Sequence, residues 1–209
     1  LRIGPATTHA AGAADPLPVW DLSDLYAGQE DPRLAADLTE AEARAKAFEQ
    51  RYAGRLSSLS GDALAEAIGE YERIEEVLGR IMSYAGLVFA GDAENPANGR
   101  FSQTMGEKVT AISSHLLFFT LELNRLEEAL LLRRYDESAA LARWKPWLRD
   151  LRVFRPHQLS DEAEKLLHEK SVTGRAAWNR LFDETIAAMR ITVGEERLTV
   201  SDALNRLSD

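Results

Sequence analysis

The stretch His115-Leu116-Leu117-Phe118-Phe119-Thr120-Leu121-Glu122-Leu123 is apolar on nearly every side when wound as a helix. A helix with one apolar stripe lies on a surface, whereas one that is apolar all round is buried on all sides. Charges flank the stretch too closely for it to span a bilayer. It therefore predicts the centre of a folded helical body. Phe101, Met105, Val109, Ile112, Leu116, Phe119, Leu123, Leu126 and Leu130 keep the helical period on both sides of it. They predict one long third helix, opening at Asn95-Pro96 and running to Arg134.

Two more helices precede it. Asp31-Pro32 is a cap followed by proline at the first helical position. Leu34, Leu38, Ala41, Ala45, Phe48 and Tyr52 then form one apolar stripe, and Gly54 is a stop. The second helix starts after Ser60 and carries Leu64, Ile68, Tyr71, Ile74, Leu78, Ile81, Ala85 and Val88 to an end at Gly91-Asp92. Gly79, Ser83, Gly86 and Ala90 set small side chains along a neighbouring line. Each helical glycine costs about 1 kcal/mol relative to alanine, so close approach of another helix is the expected compensation. Gly86 and Gly91 have phosphate-loop spacing, but Asp92 and Ala93 stand where Lys and Ser/Thr are required, which rejects that reading.

On the C-terminal side a shorter helix follows Tyr135 and is interrupted at Lys145-Pro146, between Trp144 and Trp147. Leu148, Leu151, Val153 and Phe154 continue an apolar surface. Ser160 caps the next helix, with Asp161 and Glu162 favourably placed in its first turn. Gly174 separates it from another, whose Trp178, Leu181, Phe182, Thr185 and Met189 form one face. Trp178, Leu181 and Phe182 are expected to point inward, and His168 and Glu169 outward. Ile191, Val193, Leu198 and Val200 alternate around Gly194-Glu195-Glu196 as a hairpin, which needs something to pack against. A final helical turn, Asp202 to Leu207, reaches Asp209 without a stop signal. No fixed-period repeat is evident. The fold class is mostly all-α: long antiparallel helices in a multi-helix array with one small β-hairpin near the C-terminal end.

Residues 1–15 are rich in Ala, Gly and Thr and read as a disordered tail rather than a secretory signal. The chain begins with Leu, which reads as a trimmed start. Structure is expected from the Pro16-Leu17-Pro18 segment, with Trp20, Leu22, Leu25 and Tyr26 pinning it to the body.

Among 209 residues, 45% are hydrophobic and 28% charged, the composition of an ordinary globular domain with ample core. The net charge of −9 disfavours a nucleic-acid surface and binding to anionic lipid. Without cysteine there is no disulfide, thiol nucleophile or thiolate metal site, which fits a reducing compartment. The default location is the cytoplasm, with no membrane or nucleic-acid partner.

The one half-motif of catalysis is His168-Glu169. A zinc protease needs a second histidine four residues after the first, so that both imidazoles reach one metal. Position 172 is Val, so the pair reads as exposed helix side chains. His9 falls in the tail, His115 in the apolar helix, and His157 in a short capped loop where it could bond a neighbouring segment. No Glu-x-x-His spacing is present. Glu75-Glu76 and Glu127-Glu128 are adjacent residues that diverge on a helix and read as solvated faces. No catalytic or metal-ligating residue is nominated.

Several stretches together resemble one family. They are Trp20-Asp21-Leu22-Ser23-Asp24-Leu25-Tyr26, Ser83-Tyr84-Ala85 followed by Asp92, and Phe118-Phe119-Thr120-Leu121-Glu122-Leu123. Arg155-Pro156-His157-Gln158-Leu159-Ser160 and Gly174 with Trp178 to Glu184 complete the set. In this order they resemble the N-terminal portion of the oligoendopeptidase F family, within the thimet-oligopeptidase-like zinc metallopeptidases.

The resemblance implies a mostly helical enzyme with a deep channel for oligopeptides. It also implies a His-Glu-x-x-His zinc site in a C-terminal half that this chain lacks. Zinc is then a cofactor of the full-length enzyme and is not bound by this fragment, which is expected to be inactive alone. Its partners are oligopeptide substrates, met through the complete enzyme, and its own C-terminal catalytic domain. Residues 16–150 become the N-terminal helical lobe, and 151–209 the start of the segment leading into the catalytic domain. The alternative from the residues alone is a free-standing acidic helical interaction module without enzymatic activity.

Overall fold

The computed structural model describes residues 20–207, so the predicted tail, His9 and Pro16 to Val19 lie outside the described residues. The helices in order are α1 (Pro32–Tyr52), α2 (Gly61–Gly91), α3 (Pro96–Ser113), α4 (Leu117–Arg125), α5 (Glu128–Glu137) and α6 (Ala139–Ala142). After them come α7 (Lys145–Arg152), α8 (Asp161–Lys170), α9 (Arg175–Ala188), strands β1 (Ile191–Val193) and β2 (Glu196–Leu198), and α10 (Val200–Asn205). No helix among the described residues is long and apolar enough to cross a membrane.

The first two helices form as their residues dictate. The Asp31 carboxylate accepts the Arg33 N–H at 2.9 Å, and Ser60 Oγ accepts the Ala63 N–H at 3.2 Å, each satisfying an orphan donor of a first turn. The Arg33 guanidinium and backbone N–H groups hold the Asp31 carboxyl well below the usual carboxylate range. All six stripe residues of α1 are buried, against Leu64, Ile68, Ile74, Leu78, Ile81 and Ala85 of α2. Tyr26 anchors the entering chain: its hydroxyl donates to Asp37 at 2.7 Å, and Arg80 holds the same carboxylate at 2.8 Å. Trp20, expected to share that task, is 77% exposed.

The small-residue line of α2 does not serve close helix approach. A Cβ at Gly79 or Gly86 would meet nothing within 4 Å. Helices α2 and α3 instead approach through larger side chains, Tyr84 meeting Phe101 edge-on with ring centroids 5.9 Å apart.

The predicted third helix is broken twice. A straight helix from Pro96 to Arg134 would be roughly 58 Å long, far beyond the width of this core. At the first break the hydroxyls of Ser113 and Ser114 both donate back to the Thr110 carbonyl, at 3.2 and 2.9 Å, competing with the backbone ladder. The chain tightens there, His115 N–H reaching Ile112 and Leu116 N–H reaching Ser113. At the second, Leu126 and Glu127 are extended, with ψ of 135° and 138°. The breaks turn α4 into the body, and no residue from Ile112 to Asn124 is exposed. Phe119 lies 5.0 Å, ring to ring, from both Phe48 and Tyr71, and Trp147 of α7 closes the cluster at 6.1 Å from Tyr71.

Arg134 of α5 is 6% exposed and donates to the carbonyls of Leu56 at 3.1 Å and Ser57 at 2.6 Å. Desolvation pushes its guanidinium pKa down, yet these two carbonyls of the tight turn before α2 keep it inside. Pro146 sits in the first turn of α7, where a missing N–H is harmless, so it opens a helix rather than breaking one.

Buried residues run from Tyr26 to Leu148 and none lies between 149 and 207. The hairpin pairs Ile191 with Leu198 and Val193 with Glu196 around Gly194, whose φ of +62° suits a two-residue hairpin turn. Val200, expected in the second strand, instead opens α10 behind a Thr199 cap, and that helix closes at Arg206.

Replacing Arg134 with Met is expected to leave the Leu56 and Ser57 carbonyls without a donor and to lower stability by about 2 kcal/mol. The urea midpoint should fall with an unchanged slope.

Candidate functional site

The C-terminal elements carry charge on one side and apolar groups on the other. Ser160 Oγ accepts the Ala163 N–H at 3.3 Å to start α8, and Arg125 pairs with Asp161 to tie that helix to α4. The N–H of Gly174 donates to the Lys170 carbonyl at 2.7 Å. A Cβ there would stand 2.8 Å from that oxygen, so only glycine allows this tight join to α9.

The expected orientation of these helices is reversed at every named position except Glu169, which faces solvent. Trp178 is 70% and Phe182 65% exposed, and Leu181, Leu166, Leu167, Val153 and Phe154 are exposed with them. The face of α9 that meets the body is its small and polar one: Arg180 donates to Gln103 at 2.7 Å, and Glu184 Oε1 lies 3.0 Å from where a Cβ on Gly99 would stand. His168 points inward with Ala163 and Glu164, its Nε2 2.9 Å from Ser113 Oγ and 3.3 Å from the Thr110 carbonyl. Only Glu169 of the pair is exposed, 4.0 Å from Lys165. The side chains that end α3 are thus also the seat for α8. Val172 is half-buried and, with Met82 and Val109, lines a cavity of about 370 Å³ between α3 and the α8–α9 joint.

The two remaining histidines among the described residues are structural or exposed. His115 Nδ1 lies 2.6 Å from Glu49 Oε2 and fastens the α3–α4 turn to α1. His157 is exposed, and the bond expected of it is made by its neighbour, Gln158 Nε2 donating to the Leu121 carbonyl at 3.3 Å. Among the described residues no three His, Asp or Glu side chains converge within reach of one metal ion. The described residues do not fit a zinc centre.

A second cavity of about 370 Å³, open on one side, lies between α2, the α3–α4 turn and α8. Tyr71, Glu75, Gly79 and Met82 share one face of α2 and form its wall, with Ser113, Thr120 and His168 opposite. Glu75-Glu76 is therefore not a solvated pair: Glu76 is exposed, whereas Glu75 is half-buried and burial pushes its carboxyl pKa up. The signal was present, because Glu75 follows Tyr71 by four residues and precedes Leu78 by three, inside the apolar stripe.

The geometry yields two expected outcomes. His168→Ala frees α8 from α3, so amide exchange in Asp161–Lys170 should quicken while α1 and α2 keep their protection. Glu75 binds its proton more tightly folded than unfolded, so it favours folding below the ordinary carboxyl pKa and costs stability as pH rises through its raised folded pKa. Glu75→Gln should therefore raise stability by about 1 kcal/mol at pH 7, with the gain shrinking toward pH 4 in pH-resolved melts.

Residues 122–191 match a family model described as Oligopeptidase F. The chain is 29% identical over 121 residues to Oligopeptidase PepF of Bacillus subtilis (strain 168), an alignment covering 58% of this chain and 18% of that protein. Its fold is similar to oligoendopeptidase-F from Enterococcus faecium, with a TM-score of 0.69 at 19% identity over 82% of this chain and 33% of that one. The chain thus spans about a third of the solved relative's length. Family model and curated relative, together with the helical architecture, support a likeness to the N-terminal portion of oligoendopeptidase F.

Proposed function

We propose that the chain is the N-terminal lobe of a zinc-dependent oligopeptidase that hydrolyses internal peptide bonds of short peptides. In this reading the lobe forms one wall of the substrate channel. Residues 16–150 are the lobe, and 151–209 lead into a catalytic part, outside this chain, that holds the zinc. Its partners are oligopeptides and that catalytic part, in a cytoplasmic setting.

The observation that carries the reading is the coincidence of the matched segment, residues 122–191, with the exposed apolar faces of α8 and α9. Apolar area of that extent rarely faces water in a monomer and marks a surface that another body covers. Trp178 and Phe182 are large enough to dominate such a contact. A second body over α7 to α9 also explains why no residue from 149 to 207 is fully buried within this chain.

The test joins the chain to the downstream part of its reading frame. The joined protein is expected to cleave a quenched fluorescent peptide in a zinc-dependent way and to bind less of an apolar dye than the 209-residue chain. The 209-residue chain alone should not cleave. A downstream frame without His-Glu-x-x-His would sink the reading, and cleavage by the chain alone would contradict the placement of the zinc.

A further inference from the structure

Two positions on one face of α2 work against the stability of the fold and have no packing reason to be occupied as they are. Gly79 stands inside a 31-residue helix. It costs about 1 kcal/mol relative to alanine. A Cβ at that position would meet nothing within 4 Å. One turn earlier, the half-buried Glu75 carboxylate is perturbed by desolvation, with no hydrogen bond or cation among the described residues offsetting it. The other part-buried charges among the described residues have partners. Asp37 holds Arg80 at 2.8 Å, Glu70 holds Arg51 at 3.4 Å, and Arg152 holds Glu128 at 3.1 Å. An unpaired carboxylate and an open glycine on adjacent turns face the same cavity, which has the size of a small-ligand site. Residues that weaken a fold without structural return mark a site kept for binding.

We propose that this cavity binds a primary ammonium group carried on a short apolar stem, with Glu75 as its counter-ion. A desolvated carboxylate without a partner gains most from a cation and repels anions. An ammonium is a compact charge with three donors and no acceptor. Besides Glu75, the cavity is lined by Ser113, Thr120 and Tyr71, three residues whose hydroxyl oxygens can accept. Leu116 and Met82 supply the apolar wall for the stem, and Gly79 leaves the room that a side chain would fill. A planar guanidinium would present five donors to fewer acceptors than it needs. The same ammonium chemistry comes from the amino terminus of a short peptide or from a lysine side chain. The site is independent of the peptidase reading, because it is formed wholly by this chain.

The test is a titration of the isotope-labelled 209-residue chain, followed by amide chemical shifts. The probes are Leu-Gly-Gly amide, its N-acetylated form, and Nα-acetyl-lysine amide. At least one of the two amine-bearing probes is expected to give saturable shifts confined to α2, the α3–α4 turn and α8. The N-acetylated tripeptide should bind at least tenfold more weakly than the amine probe that binds. The tighter of the two amine probes identifies the source. Glu75→Gln, with a melting temperature no lower than the parent's, should weaken binding at least tenfold. Gly79→Leu, which fills the cavity while favouring the helix, should do the same. No saturable shift with either amine probe, equal binding of the acetylated tripeptide, or unchanged binding in either variant overturns the proposal.

Discussion

The burial of Phe119 is the constraint on which the rest of the fold depends. Its ring is in contact with Phe48 of α1 and Tyr71 of α2, and Tyr71 carries the contact on to Trp147 of α7. Four helices therefore meet in one aromatic cluster. A helix whose whole circumference is apolar can satisfy this only if the chain delivers it to the interior and takes it out again. The turns at Ser113–Leu116 and Leu126–Glu127 do so, and the exit fixes where α5 to α7 pack.

The same turns decide the chemistry of the outer surface. Ser113 and Thr110, which end α3, also hold His168, so the break that buries α4 creates the seat of α8. Once α8 is held by its polar inner face, Leu166 and Leu167 are left outward, and the Gly174 joint sets α9 with Trp178 and Phe182 outward too. The protein thus has a closed core ending at Leu148 and, beyond it, an apolar surface with no cover of its own. This is the physical content behind the proposed role as one lobe of a larger peptidase.

The cavity beside Glu75 arises where these two regions meet. Helix α2 supplies one wall, the α3–α4 turn the second and α8 the third, so it exists only because α8 is seated on Ser113. Half-buried carboxylates such as Asp37 and Glu70 are held by a cation, whereas Glu75 is desolvated with none to offset it. Its position inside an apolar stripe gives the site one fixed negative charge in a poorly solvated place.

Caps and stripes fixed α1 and α2 in advance, because local hydrogen bonds and one-sided burial are properties of neighbouring residues: Asp31, Ser60 and the six stripe residues from Leu34 to Tyr52 stand as their spacing implies. The order of motifs from Trp20 to Glu184 likewise pointed to the family. The breaks inside the third helical pattern were not legible from period alone, since Phe101 to Leu130 keep the same spacing through both turns. Side-chain direction beyond Leu148 was misread for a related reason. An apolar face says only that something covers it, and whether the cover is this chain or another body is decided by tertiary contacts. Those contacts turned His168 inward and Trp178 outward, and they set Glu75 apart from Glu76, because a hydrogen bond or a desolvated charge depends on residues distant in the sequence.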